Sequence, residues 1–167
     1  MQQLRIVGCV CVAILVCAAP GRAQERQPAA FEKLKTLVGE WEGRMEDGHT
    51  ARVTYHLTSS GSVLIETIMP GEPGEMITVF HPDGDSVVAT HYCGAKNQPR
   101  MRASGASGEV KEIAFAFLDV TNLASPAAGH MRDLVVTFHD NDHFTARWIY
   151  RENGKDSPSV FHYTRKK

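Results

Sequence analysis

The stretch Ala51-Arg52-Val53-Thr54-Tyr55-His56-Leu57-Thr58 decides the fold. Apolar Ala51, Val53, Tyr55 and Leu57 alternate with polar Arg52, Thr54, His56 and Thr58, which is the pattern of a strand with one face buried and one face wet. Upstream the period is different. Phe31, Leu34, Leu37 and Val38 recur at spacings of three and four, which predicts one short amphipathic helix ending at Gly39. From Gly39 onward the period is two and stays two.

Turn signals divide the rest at a steady pitch: Asp47-Gly48, Ser60-Gly61, Pro70 to Gly74, Pro82-Asp83-Gly84, Asn97 to Pro99, Gly105 to Gly108, Ser125 to Gly129, Asp140 to Asp142 and Asn153-Gly154. Nine breaks imply about ten strands. Short consecutive strands joined by tight turns make an antiparallel meander. A meander of this length has to curl or close, because an open twisted sheet leaves exposed edges and an uncovered face. The reading is all-β: a single antiparallel up-and-down barrel of about ten strands with a short N-terminal helix. A two-sheet sandwich is the structural alternative.

The turns also predict which residues face one another. Asn153-Gly154 as a two-residue turn sets Tyr150 opposite Ser157, Trp148 opposite Ser159 and Ala146 opposite Phe161. A three-residue loop at 140–142 sets Phe138 opposite Phe144 and Leu134 opposite Trp148. Ser60-Gly61 sets Tyr55 opposite Glu66 and Leu57 opposite Leu64. A turn over Pro82 to Asp85 that leaves His81 opposite Ser86 sets Met76 opposite His91. At Asp47-Gly48 a two-residue turn sets Trp41 against Thr54 instead of Val53 and breaks the apolar pattern, so a bulge or a different loop length is expected there.

Residues 1–23 carry one early charge, Arg5, then an apolar run from Ile6 to Ala19 and small residues Gly21 and Ala23. That is the layout of a secretory signal peptide cut near Ala23, too short and too broken by Pro20 to be a spanning helix. The expected organisation is signal peptide 1–23, tail and helix 24–38, and barrel 39–167, with an exported product, periplasmic or extracellular, that has no membrane span after processing. Removing Arg5 and Arg22 leaves 16 basic against 19 acidic side chains, a net charge of −3, which argues against nucleic acid as a partner. Cys9, Cys11 and Cys17 leave with the signal, so Cys93 has no cysteine to pair with and stability has to come from packing.

Gly39-Glu40-Trp41, after a short helix and at the head of the first strand, resembles the Gly-x-Trp opening of the calycin barrels: lipocalins, fatty-acid-binding proteins and nitrobindins. In those barrels an arginine of the last strand commonly lies over the tryptophan, and Arg165 in Tyr163-Thr164-Arg165 is similar in placement. With Gly61-Ser62, His91-Tyr92-Cys93 and Asn97-Gln98-Pro99-Arg100-Met101, the chain also looks like a group of exported bacterial calycin-like proteins without an assigned activity. The resemblance implies a barrel fold, with Trp41 buried beneath Arg165, and no reaction.

Within the predicted barrel, Glu66 falls on the face of Val53, Leu57, Leu64 and Ile68. A carboxylate there needs a hydrogen-bond partner, a raised pKa or a ligand; Tyr55 is the natural neighbour. His91 and Cys93 share a face, and with Met76 they form a soft donor set suited to copper or zinc, although an ordinary buried histidine beside a free thiol is the simpler reading. Nitrobindins hold haem through a histidine near the C-terminus. The comparable residue here, His162, is turned outward by the register that buries Phe161 and Tyr163, which leaves His91 or His130 as substitutes. No nucleophile elbow, phosphate loop or metalloprotease helix occurs, and no catalytic residue is assigned.

The composition points first to a small-molecule-binding barrel. Its expected pocket is bounded by Tyr55, Glu66, Met76, His91 and Trp148, with Asn97, Arg100 and Met101 at the mouth. Arg100, Asn97 and Gln98 suit a carboxylate or other small anion with an apolar body. Three other readings remain: a small enzyme using Glu66 and His91, a haem or copper barrel, and a filled barrel in which Arg100 neutralises Glu66.

Overall fold

The structure is a computed structural model of the chain and describes residues 27–46, 48–104 and 108–167. The proposed signal peptide, Asp47 of the Asp47-Gly48 turn and residues 105–107 of the Gly105 to Gly108 turn lie outside the described residues. One helix, α1 (Ala29–Lys35), precedes ten strands: β1 (Gly39–Met45), β2 (Thr50–Thr58), β3 (Val63–Ile68), β4 (Met76–Asp83), β5 (Ser86–Tyr92), β6 (Gln98–Ala103), β7 (Glu112–Thr121), β8 (His130–Phe138), β9 (His143–Glu152) and β10 (Lys155–Arg165). Each strand pairs with the next, and β1 pairs with β10, so the sheet closes as an antiparallel up-and-down barrel. Closure leaves no sheet edge for another chain to pair with. Among the described residues no helix is long and apolar enough to cross a membrane.

Alternation decides what lies inside. Val53, Leu64, Phe80, Ala89, Met101, Phe115, Leu134, Ala146 and Trp148 are all buried, and each sits on the inward phase of its strand. The helix closes one end by turning Phe31 and Leu34, both fully buried, into the barrel. Each side chain of this kind contributes about 1.5–3 kcal/mol by leaving water. Val38, expected on the same helical face, lies beyond α1 and is exposed.

The closing pair is tight. Trp41 is 1% exposed, donates its Nε1–H to the Leu37 carbonyl at 2.7 Å, and stands opposite Arg165 in the β1–β10 ladder. The Arg165 guanidinium lies 4.0 Å from the indole centroid, and its nitrogens donate to the carbonyls of Thr36, Val38 and Asn141. One side chain therefore joins the helix exit, the first strand and the β8–β9 turn.

The hairpins at 60–61, 140–142 and 153–154 pair their strands as the turns predict, with Tyr55 opposite Glu66, Leu134 opposite Trp148 and Trp148 opposite Ser159. The first hairpin resolves the expected mismatch and the β4–β5 register differs from expectation. In the first hairpin Met45 N–H bonds to the His49 carbonyl and Trp41 faces Val53, restoring the apolar match. Between β4 and β5 the turn is only Gly84-Asp85, with Gly84 at φ +57° and Asp83 opposite Ser86. That two-residue shift sets Thr78, and not Met76, opposite His91. A shift of two keeps every side chain on its face, so the inward set is unchanged.

Replacement of Arg165 by Ala is expected to cost roughly 2–3 kcal/mol, because it removes the cation–π contact and leaves three carbonyls without their donor. Arg165→Lys should recover only part of this, since an ammonium cannot span all three. Urea unfolding monitored by Trp fluorescence measures both.

Candidate functional site

A polar row crosses the inner face of four adjacent strands. The ladders set Tyr55 opposite Glu66, Glu66 opposite Thr78, and Thr78 opposite His91. All four are buried: Glu66 is 2% exposed and His91 0%. The Tyr55 hydroxyl donates to Glu66 Oε1 at 2.5 Å. Thr78 Oγ1 lies 3.0 Å from His91 Nδ1, and Thr78 stands opposite Glu66 in the β3–β4 ladder.

One hydroxyl carries one proton. With that proton turned away from the ring, the hydroxyl accepts from His91 Nδ1–H, and Nε2 of the imidazole is left as a bare acceptor. Two atoms of the row have no hydrogen-bond partner, Glu66 Oε2 and His91 Nε2. Unmatched buried polar atoms of this kind cost about 1–3 kcal/mol each.

Burial dominates the electrostatics. It raises the Glu66 pKa above the usual carboxylate value, against the opposing pull of the Thr78 and Tyr55 hydrogen bonds. It raises Tyr55 further still, reinforced by the Glu66 charge, and Tyr163 rises for the same two reasons. Burial lowers His91 to about 4, so its ring is neutral at physiological pH.

Aromatic rings face the row. Phe144 makes edge contact with Tyr55 at 6.1 Å and with Trp41 at 4.7 Å, and stacks on Tyr163 at 4.6 Å. Trp148 packs 4.9 Å from His91. Tyr163 reaches the row because Gly43 stands opposite it in the β1–β10 ladder, where a Cβ would fall inside the ring.

The residues singled out in the sequence divide into three groups. Tyr55, Glu66, His91 and Trp148 come together as expected. Met101 is buried between Ala89 and Phe117 in the neighbouring ladders, and Asn97 is buried near the β5–β6 turn, donating Nδ2–H to the Gly129 carbonyl at 2.8 Å while its Oδ1 has no partner. Met76 stands opposite Ile68, half-buried at the end away from α1.

Arg100 is elsewhere. A bulge at Arg100/Met101 pairs Arg100 with Asp119 on the barrel exterior, where Nε meets Oδ1 at 2.7 Å and Nη2 meets Oδ2. Each side chain of that pair is 48% exposed. Arg100 therefore neither anchors an anion at the mouth nor neutralises Glu66. Thr78 and Tyr163 were not singled out; Thr78 is legible as the one polar residue between Met76 and Phe80 on an inward face, whereas the reach of Tyr163 depends on Gly43 across the closing ladder.

The β4–β5 register separates Met76 from direct opposition to His91, and among the described residues no three His, Cys, Asp or Glu side chains form a metal cluster. His162 is exposed beside Thr145. His91 has no exposed surface and is packed on Trp148. His130 is turned to the Ala128 carbonyl, with Phe117 5.5 Å away.

Clefts of about 690 Å³ and 590 Å³ flank α1 on the outside of the closed end. Neither is lined by a residue of the row. At the opposite end Met69, Met76, Met131 and Phe161 pack on the core while remaining partly open to solvent.

The site and fold together define a closed ten-strand β-barrel with a buried polar row. The crystal structure of Rv2717c from M. tuberculosis is similar, with a TM-score of 0.56 at 13% identity, and the alignment covers 85% of this chain and all of that one. That likeness concerns the fold. No protein-family model matches the chain, and no curated protein matches it in sequence.

The histidine gives a pH signature. Its pKa falls from 6.5 to about 4, so the stability gained by keeping it neutral is complete above pH 6.5 and is lost as pH falls toward 4, a change of about 3 kcal/mol. Glu66 acts in the opposite sense: its raised pKa gives stability that is present in acid and lost as pH rises through the folded value. His91→Gln should therefore flatten, or even invert, the loss of stability between pH 6.5 and 4, as read from urea midpoints across that range.

Proposed function

We propose that this chain is an exported, calycin-type barrel that binds a small molecule inside, with the polar end of the ligand on the Tyr55–Glu66–Thr78–His91 row. The observation that carries this reading is the pair of buried atoms without partners, Glu66 Oε2 and His91 Nε2, on adjoining parts of one inward row. A barrel selected only for packing has no use for them, because apolar residues of similar volume avoid their desolvation cost.

Access is through the end away from α1. Met69, Met76 and Met131 are unbranched and soft, so they can change rotamer to admit an apolar body and then close over it. The aromatic walls of Trp148, Phe144 and Tyr163 supply the apolar contact, and the row supplies orientation. The export reading rests on the apolar run of residues 6–19 and the small residues at 21 and 23.

Native mass spectrometry of the purified protein, followed by thermal-shift screening of small apolar compounds bearing different head groups, tests this. The expected result is a retained mass or a saturable stabilisation of about 2–3 kcal/mol at 100 times Kd, lost in a Met76→Arg variant that blocks the mouth without touching the row. A protein that retains nothing and is stabilised by no head-group class contradicts the proposal.

A further inference from the structure

We propose that the ligand of the Glu66 site is an organic ammonium ion, a protonated or methylated amine carried on an apolar body. This rests on the binding reading above and names its ligand class.

The unmet groups are acceptors. Oε2 of an ionised Glu66 carboxylate can only accept, and His91 Nε2 accepts when Nδ1–H is given to Thr78. A ligand that satisfies them has to donate. Among the described residues the arginine ion pairs are to aspartates and none is to Glu66: Arg100 with Asp119, Arg102 with Asp83, Arg132 with Asp133 and Asp156, Arg151 with Asp156, and Arg165, held at the α1 end by backbone carbonyls, with Asp142. None of the buried polar residues is a lysine or arginine. Glu66 therefore has no internal cation, and an anionic ligand would meet a like charge.

The walls favour a cation as well. Tyr55 and Tyr163 are both close enough to feel the Glu66 charge, and Phe144 touches both rings at 6.1 Å and 4.6 Å. A carboxylate within a group of aromatic rings is the donor set that recognises ammonium groups, combining a charge-assisted hydrogen bond with cation–π attraction. Ile68 and Met76 continue the inward faces of β3 and β4 toward the mouth, so the body of the amine can lie along them. A neutral alcohol can satisfy Oε2 but leaves the carboxylate charge buried without compensation.

The test uses four probes of matched chain, hexylamine, hexyltrimethylammonium, 1-hexanol and hexanoate, titrated calorimetrically into the wild-type protein and Glu66→Gln. One or both ammonium probes should bind about tenfold or more tighter than hexanol, with hexanoate weakest, and Glu66→Gln should remove that preference. Hexanol or hexanoate binding as tightly as the ammonium probes overturns the ammonium assignment and leaves the binding barrel standing. An ammonium preference that survives Glu66→Gln overturns the assignment to Glu66. Failure of all four probes at millimolar concentration counts against the binding reading itself. The wild-type ranking decides between head groups even where the variant does not fold.

Discussion

The Arg165 guanidinium over Trp41 is the contact on which the rest of this barrel depends. It fixes β10 against β1 and ties both to the carbonyls where α1 ends. A ten-strand meander whose first and last strands fail to meet has two open edges and an interior exposed to water. With that pair in place the inward phase of every strand becomes a core, and α1 covers one end of it with Phe31 and Leu34.

Closure then sets the cost of whatever polar group faces inward. Glu66 cannot turn to solvent without shifting β3 by one residue, which would expose Leu64 and Ile68. The carboxyl is therefore held inside by its neighbours and is stabilised only in part, by Tyr55 on one side and Thr78 on the other. His91 is in the same position: Thr78 takes one nitrogen, and Trp148 covers the ring without offering the other a partner. Groups kept at such a cost are more often functional than structural.

Side-chain phase was legible in the sequence to a greater degree than register. Alternation along 51–58 and the turn residues place Tyr55, Glu66, His91 and Trp148 inside, and the structure agrees. The β4–β5 turn was read two residues too long, which moved Thr78 away from His91 and Met76 toward it; parity survived and the partner did not. The first hairpin shows the reverse, since the apolar mismatch at Trp41 correctly marked a loop of another length. Arg100 was misplaced for a different reason. Alternation in β6 turns Arg100 outward because Met101 faces in, a parity that placing it at the mouth overrode; only its partner Asp119 depends on the bulge at 100/101, which a period-two pattern does not show. The reach of Tyr163 into the row depends on the missing side chain of Gly43, a contact across the closing ladder between residues far apart in the chain.

The central claim is that the row is kept for a ligand and not for the fold. The double variant Tyr55→Phe/Glu66→Leu tests it most directly, because it removes phenol and carboxyl together while keeping the volume and the aromatic ring. Unfolding free energy measured in urea should stay within about 1 kcal/mol of wild type or rise, with ligand binding abolished. A loss of roughly 3 kcal/mol or more would show that Tyr55 and Glu66 hold the barrel together, and would contradict the account.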